Sequence, residues 1–372
     1  MIIVIADDIT GAAEIGGIGI RRGLRTGLTT NPQSIAAYGE DYDLLVIATD
    51  TRGMNEADAC AHTRHIAATL REMPVKHRLF KKTDSALRGH ITAELETLLG
   101  ETGYTRALLL PHNPSKGRIV ENGIYKINGI PLSETSFAYD PEFPATTSVV
   151  SERLHLKENM LFCDAASSDD VQAAISRLDD DTLAAGAADC FNAFLEAVVA
   201  DKLDRKTDNT AAFKGLTGET AIIVCGSTQS GDLSTQPYIQ RVKANVVPMT
   251  REAFYGTSVE QWQKAALADY SRQGSIVLTI GFPSEGGADF ALRLRSQMAE
   301  LCSSLITHKQ PHELVIEGGA TAFALLDHLK WQSFEIENEI APGVIRLRYT
   351  TPQGTIHITM KPGSYPWGEA MI

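Results

Sequence analysis

Met1-Ile2-Ile3-Val4-Ile5-Ala6-Asp7-Asp8-Ile9-Thr10-Gly11-Ala12 is the stretch whose reading decides the fold. Met1–Ala6 is a short, almost unbroken apolar run, which predicts a strand buried on both faces. Gly11–Arg22 then carries a helical pattern, so the two aspartates stand where a strand ends and a helix begins. In an open α/β sheet that carboxyl edge is where ligands bind. Adjacent carboxylates repel unless a metal, a cation or a substrate hydroxyl stabilises them. Gly11 permits close backbone approach, and helix N-terminal amides can accept an anion. The plainer alternative is that one aspartate caps the helix and the other is solvated.

The same alternation continues outward. Leu44–Thr49, Arg78–Lys82 and Ala107–Leu110 read as strands, with helices over Glu56–Arg71 and Ile91–Leu99. Short apolar runs alternating with helices predict parallel sheets covered by helices, an α/β class. Asp164–Leu216 reads as largely helical and ends in the polar stretch Asp201–Lys214. A new apolar run, Ala221–Cys225, opens a second half with strands at Ser275–Ile280, Glu313–Glu317 and Gly343–Tyr349. Thr355–Met360 should pair with the last of these across the turn Thr351–Gly354. The expected organisation is two α/β domains, residues 1–216 and 217–372, with largely parallel sheets and an active-site cleft between them.

Composition narrows the function. The chain of 372 residues is 43% hydrophobic and 22% charged, with a formal net charge of −12. No basic face of the kind that grips a phosphate backbone is present, so nucleic acid is not an expected partner. An anionic ligand must instead be held by local donors. The five cysteines (Cys60, Cys163, Cys190, Cys225 and Cys302) form no C-x-x-C pair, which argues against a zinc knuckle or redox motif. The N-terminus reads as a strand, not a signal peptide, and no apolar run approaches the roughly 18 residues of a membrane span. A cytoplasmic protein without a membrane partner is expected.

Three further strand ends carry chemistry. Lys81-Lys82-Thr83-Asp84-Ser85-Ala86-Leu87-Arg88-Gly89 joins an anion-binding set to hydroxyl-binding groups. Arginine offers a bidentate fork for a carboxylate and lysine a compact point charge. An ordinary Asp84–Arg88 surface pair at helical spacing is the competing explanation. Pro111-His112-Asn113-Pro114-Ser115-Lys116-Gly117-Arg118 is a donor-rich loop running into a turn-rich hairpin, and Arg52 adds a cation after a strand. Convergence of four strand ends is more informative than any one motif. In the second half, Cys225-Gly226-Ser227-Thr228 and Glu317-Gly318-Gly319-Ala320-Thr321 pair glycines with donors at strand-to-helix turns, chemistry that cradles phosphates. Lys361-Pro362-Gly363 can place a cation beside them, although no Walker spacing is present. The histidine pairs His62/His65 and His308/His312 lack a third ligand and read as surface or packing residues. A phosphatase of the haloacid dehalogenase type would need D-x-D-x-T, but the frame puts Ala6 at the nucleophile position.

Together these segments resemble the four-carbon acid sugar kinase family, in family order: IADDITGA, KKTDSALRG, PHNPSKGR, CGSTQS, EGGATA and MKPGSYPWG. The resemblance implies an ATP- and Mg2+-dependent kinase that phosphorylates a hydroxyl of a small sugar acid. It implies that Asp7, Asp8, Arg52, Lys82, Asp84, Ser85, Arg88, Gly89, Gly117 and Arg118 surround the acid. It places Ser227, Gly318, Gly319, Thr321, Lys361 and Gly363 around ATP. Asp84 or Asp8 would accept the hydroxyl proton, with Lys82 or Lys361 on the transferred phosphoryl group and Arg88 or Arg118 on the substrate carboxylate. The metal ligands are left open, and a homodimer is expected. Ala86 replaces a usual threonine, Ala320 a common acidic residue, and Lys361–Gly368 departs from the usual closing motif. Those departures motivate one alternative, a non-catalytic sugar-acid sensor; a metal-dependent phosphohydrolase is the other.

Overall fold

The computed structural model describes residues 1–140, 142–199, 213, 215–216, 220–226, 236–283, 287–363, 367–368 and 371. Its contacts divide the chain into two units, Met1–Thr207 and Asp208–Ile372.

In the first unit the elements follow in order as β1 (Ile2–Ala6), α1 (Ile9–Arg21), β2 (Thr26–Thr29), β3 (Leu44–Ala48), α2 (Glu56–Arg71), β4 (Arg78–Lys82), α3 (Ile91–Glu101) and β5 (Arg106–Leu110). Then come β6 (Arg118–Glu121), β7 (Ile124–Ile127), β8 (Ile130–Pro131), α4 (Val150–Leu154), β9 (Met160–Leu161), α5 (Ser168–Ile175), β10 (Thr182–Gly186) and α6 (Ala188–Val199). The sheet order is β2-β3-β1-β4-β10-β5-β9, with every pair parallel. Strands β6, β7 and β8 form the small antiparallel hairpin sheet expected after the proline-rich loop.

Register decides what this sheet presents. Ala6 pairs with Ala48 and Lys82, Lys82 with Gly186, and Gly186 with Leu110. Five strands therefore end in one row, and the residues just past them share one edge. The order reverses at β1, whose two neighbours are β3 and β4, which makes this edge the switch point where such sheets bind ligands. Beneath it, Ile3, Ile5, Leu45, Ile47, Leu79, Ile91, Leu95 and Leu98 are buried in one core. Each such side chain contributes about 1.5–3 kcal/mol of apolar burial, ample to hold the row in place.

One expectation is corrected here. Among the described residues of Asp164–Leu216 the helices α5 and α6 are interrupted: between them runs β10, in the middle of the sheet. Its centre Leu-Ala-Ala has helix-forming composition, but all five residues are buried and paired with β5, and Ala184–Gly186 pair with β4 as well. Tertiary pairing overrides propensity there.

The second unit contains β11 (Ala221–Cys225), α7 (Pro237–Arg241), β12 (Asn245–Pro248), α8 (Arg251–Tyr255), α9 (Glu260–Gln273), β13 (Ser275–Thr279) and α10 (Ala288–His308). It closes with β14 (Glu313–Glu317), α11 (Gly319–His328), β15 (Ser333–Ala341), β16 (Val344–Thr351) and β17 (Gly354–Lys361). The order is β12-β13-β11-β14-β17-β16-β15, parallel through β17 and antiparallel beyond. The expected pairing across Thr351–Gly354 is present. Cys225, Glu317 and Lys361 align in one row of strand ends. No described helix is long and apolar enough to cross a membrane.

Candidate active site

Asp8 is the N-cap of α1. Its backbone is extended, and its Oδ1 accepts from the Gly11 amide at 2.7 Å while the Thr10 hydroxyl donates to Oδ2. The capping alternative is thus real, but it does not exhaust the residue. Arg52, in the short turn after β3, donates from Nε to Asp7 Oδ2 at 2.8 Å and from Nη1 to Asp8 Oδ2 at 2.9 Å. Its Nη2 lies 3.5 Å from Asp84 Oδ1. One guanidinium therefore ties together three carboxylates from the ends of β1 and β4. Burial alone would weaken its charge, but the three aspartates outweigh it and raise the Arg52 pKa well above the ordinary value.

Asp84 is saturated with donors. Its Oδ2 accepts from the Ala86 amide at 2.9 Å, the Arg88 amide at 3.2 Å and Arg88 Nε at 2.9 Å. Its Oδ1 accepts from Arg88 Nη2 at 3.0 Å. Burial pushes this carboxyl up, yet Arg52, Arg88 and Lys82 hold it well below the usual carboxylate range. The Asp84–Arg88 pair at i,i+4 is consequently no surface pair. Arg88 also reaches Asp140 at 3.4 Å. Phe137 lies under both Arg88 and Arg118, at 5.4 and 5.7 Å from its ring centre.

Arg118, the first residue of β6, donates to the Ser85 hydroxyl. Tyr125 of β7 donates its own hydroxyl to the Ser85 and Pro111 carbonyls, so the hairpin sheet fixes the loop from one side. The two successive lysines of β4 point to opposite faces, as strand geometry requires. Lys81 is fully buried and paired with Glu94 at 2.9 Å, a structural role. Lys82 Nζ faces the edge, donating to the Thr83 carbonyl at 3.0 Å and lying 3.6 Å from Glu14 Oε2. Glu14 accepts a second lysine, Lys116, on its other oxygen. Burial would raise the Glu14 carboxyl, but Lys82, Lys116 and Arg118 lower it below its ordinary value. Several buried polar atoms just past the same row of strand ends have no protein partner: Asp7 Oδ1, Thr83 Oγ1, Asn113 Nδ2 and both nitrogens of His112. Burial lowers the His112 pKa to about 4, which keeps the ring neutral.

In the second unit, Gly226 and Gly318 follow β11 and β14. A Cβ at Gly226 would sit 2.0 Å from Thr321 Oγ1, so only glycine fits against that hydroxyl. Gly318 caps α11 with φ 106°, and no side chain caps the helix, which leaves its first amides for an anion. Lys361 Nζ lies 3.4 Å from Glu317 Oε1 and donates to the carbonyls of Pro362 and Gly363 at 3.3 Å. Burial pulls this ammonium below its ordinary pKa, and Glu317 only partly restores it.

The structure brings Asp7, Asp8, Arg52, Lys82, Asp84, Ser85, Arg88 and Arg118 together at one edge. Gly89 joins them: a Cβ there would lie 3.5 Å from Asp7 Oδ2. Gly117 turns the chain, with φ 65° and Asn128 filling the space a side chain would need. Gly318, Gly319, Thr321, Lys361 and Gly363 gather in the second unit, while Ser227 lies outside the described residues. The sequence did not single out Glu14 or Asp140, and it gave Lys116 and Glu317 only as members of the donor-rich loop and the glycine turn. Glu14 lies three residues after Gly11 on the same face of α1, a signal that could have found it. Among the described residues no group of three acidic, histidine or cysteine side chains is arranged to hold a metal. Mg2+ bound with a nucleotide is held by phosphates and one or two carboxylates, so the site does not require such a cage.

Residues 2–231 match the sugar-binding N-terminal domain and residues 234–365 the nucleotide-binding C-terminal domain of a described protein family. The chain is 25% identical to the 3-oxo-tetronate kinase of Methylobacterium radiotolerans, over 97% of this chain and 95% of that one. It is 24% identical to the 3-oxo-tetronate kinase of Brucella melitensis, over 92% and 88%. The D-threonate kinase of Salmonella typhimurium is 31% identical over 42% of this chain and 37% of its own. Among solved structures, a Haemophilus influenzae protein superposes with a TM-score of 0.72 at 18% identity, covering 99% of this chain and 98% of its own. A Salmonella typhimurium protein does so at 0.77 and 17% identity, covering 100% and 97%. At such identities the likeness is one of fold. With both domain matches in chain order, spanning most of its length, the chain belongs to the four-carbon acid sugar kinase family.

Proposed function

We propose that the protein is a kinase that transfers the γ-phosphoryl group of MgATP to a hydroxyl of a small sugar acid of about four carbons. The observation that carries this reading is the edge where Arg52 holds three carboxylates beside the Lys82, Ser85 and Arg118 donors. Residues 1–216 would bind the acid and 217–372 the nucleotide. In the reaction a substrate hydroxyl oxygen forms a bond to the γ-phosphorus. The bond from that phosphorus to the β–γ bridging oxygen breaks, and ADP leaves with the electron pair. The hydroxyl proton passes to a carboxylate. Asp8 suits that role better than Asp84, because Asp84 is saturated by donors and strongly acidic. Asp84 instead fixes Arg52 and Arg88. Arg118, presented by Ser85, takes the substrate carboxylate, and Mg2+ supplies charge neutralisation on the nucleotide phosphates. Positioning and electrostatics carry most of such a reaction. A cytoplasmic homodimer completes the reading.

Calorimetric titration with a non-hydrolysable MgATP analogue, and separately with D-threonate and D-erythronate, tests the two binding assignments. Wild type should bind the analogue and at least one acid. Lys361→Met should weaken the analogue about tenfold, near 1.4 kcal/mol, and leave acid affinity unchanged. Acid binding without any analogue binding in wild type would favour the sensor.

A further inference from the structure

We propose that Lys82 and Lys116 form the subsite for the phosphoryl group in transit, and that Glu14 is the positioning residue that holds the two ammonium groups side by side. This inference rests on the kinase reading above. Glu14 projects from α1 with its side chain 17% exposed, and each of its oxygens faces a different lysine. Lys82 comes from the end of β4 and Lys116 from the turn after β5, so three elements meet at one carboxylate. Lys82 is buried and also donates to the Thr83 carbonyl, whereas the partly exposed Lys116 needs the carboxylate more, because a flexible four-carbon stem fixes a point charge poorly.

Charge distribution sets the role. On one side of the edge, Arg52, Arg88 and Arg153 act on Asp7, Asp8, Asp84 and Asp140, so carboxylates outnumber the cations there. On the other, Lys116, Arg118 and Arg21 act on the carboxylate of Glu14, with Lys82 shared between Glu14 and Asp84, so cations outnumber the carboxylate. The edge is therefore polarised within itself. An acidic half can accept a proton from a hydroxyl, and a basic half can receive an anion. In a protein of net charge −12, such a local surplus is where an anionic group can be held. Arg118 is engaged by the substrate carboxylate in the kinase reading, which leaves the two lysines for the phosphoryl oxygens. They act as fixed charges: no proton leaves either, and the bonds made and broken are those of the transfer itself.

The test combines Lys116→Met, Lys116→Arg and Glu14→Gln, assayed for ADP release with the acid that wild type turns over. Lys116 is partly exposed, so its removal should leave the fold intact, which thermal melting checks. Lys116→Met should lower kcat about 10²-fold with the KM for the acid within about threefold, and Lys116→Arg should restore most of the loss. Glu14→Gln should lower kcat about tenfold. The MgADP–aluminium fluoride complex formed with the acid should weaken in Lys116→Met, while binding of the MgATP analogue alone stays the same. A kcat loss below threefold in both Lys116→Met and Glu14→Gln would overturn this assignment while leaving the kinase reading intact. A wild type that turns over no acid would overturn both.

Discussion

Arg52→Met should cost the first unit about 3–5 kcal/mol of stability and lower turnover about 10³-fold. The reason is what Arg52 leaves behind. Its side chain is 15% exposed, and the three carboxylates it joins are 4%, 16% and 9% exposed. Removing a cation from such a set strands buried charge, which costs far more than the ion pairs contribute net. The pH dependence distinguishes this from ordinary destabilisation. Against burial, Arg52 and Arg88 hold Asp84 below the unfolded value near 3.9, so its stabilising contribution is complete above that value. It is lost only as pH falls below it. Without the guanidinium, carboxylate repulsion favours retaining a proton in the folded state. His112, held neutral by burial, costs both proteins stability on acidification, so the comparison is with wild type: between pH 7 and pH 5 Arg52→Met should lose less stability than wild type or gain some. Urea unfolding of both proteins at the two pH values measures this directly, and a variant that loses as much as wild type or more contradicts it.

Asp8→Asn should lower kcat by about 10²–10⁴ while leaving the fold intact. Asparagine caps helices about as well as aspartate, so the bond to the Gly11 amide survives. What is lost is the proton acceptor and one charge on Arg52. Asp84→Asn should instead raise the KM for the acid, because its main work is to orient Arg88 and Arg52. Steady-state kinetics on both variants separates the roles. Equal kcat losses would remove the distinction, and a loss below about tenfold in kcat/KM for both would remove either aspartate as the base.

The binding edge was legible because its residues lie within a few positions of a strand end, where local pattern and ligand chemistry coincide. Asp7, Asp8, Lys82 and Asp84 need only the parallel register to meet, and Arg118 needs the hairpin after β5 as well. The unreadable parts depend on long-range pairing. Strand β10 has the composition of a helix and becomes a strand only between β4 and β5. Lys116 looks like any loop lysine until Glu14, 102 positions away, proves to be its partner. Asp140 reaches Arg88 across 52 positions, and nothing local marks it. In the second unit Lys361 was readable as a cation at a strand end, but its pairing with Glu317 was not, because β14 and β17 pair only in the folded sheet.

ADP release from MgATP across a panel of three- to six-carbon sugar acids tests the central claim most directly. The expected result is stoichiometric ADP and phosphorylated acid with at least one four-carbon acid, and no free phosphate without an acceptor. MgATP and an acid both bound, with no ADP released from any member of the panel, would contradict it. So would phosphate released in the absence of acid, which would make the protein a phosphohydrolase.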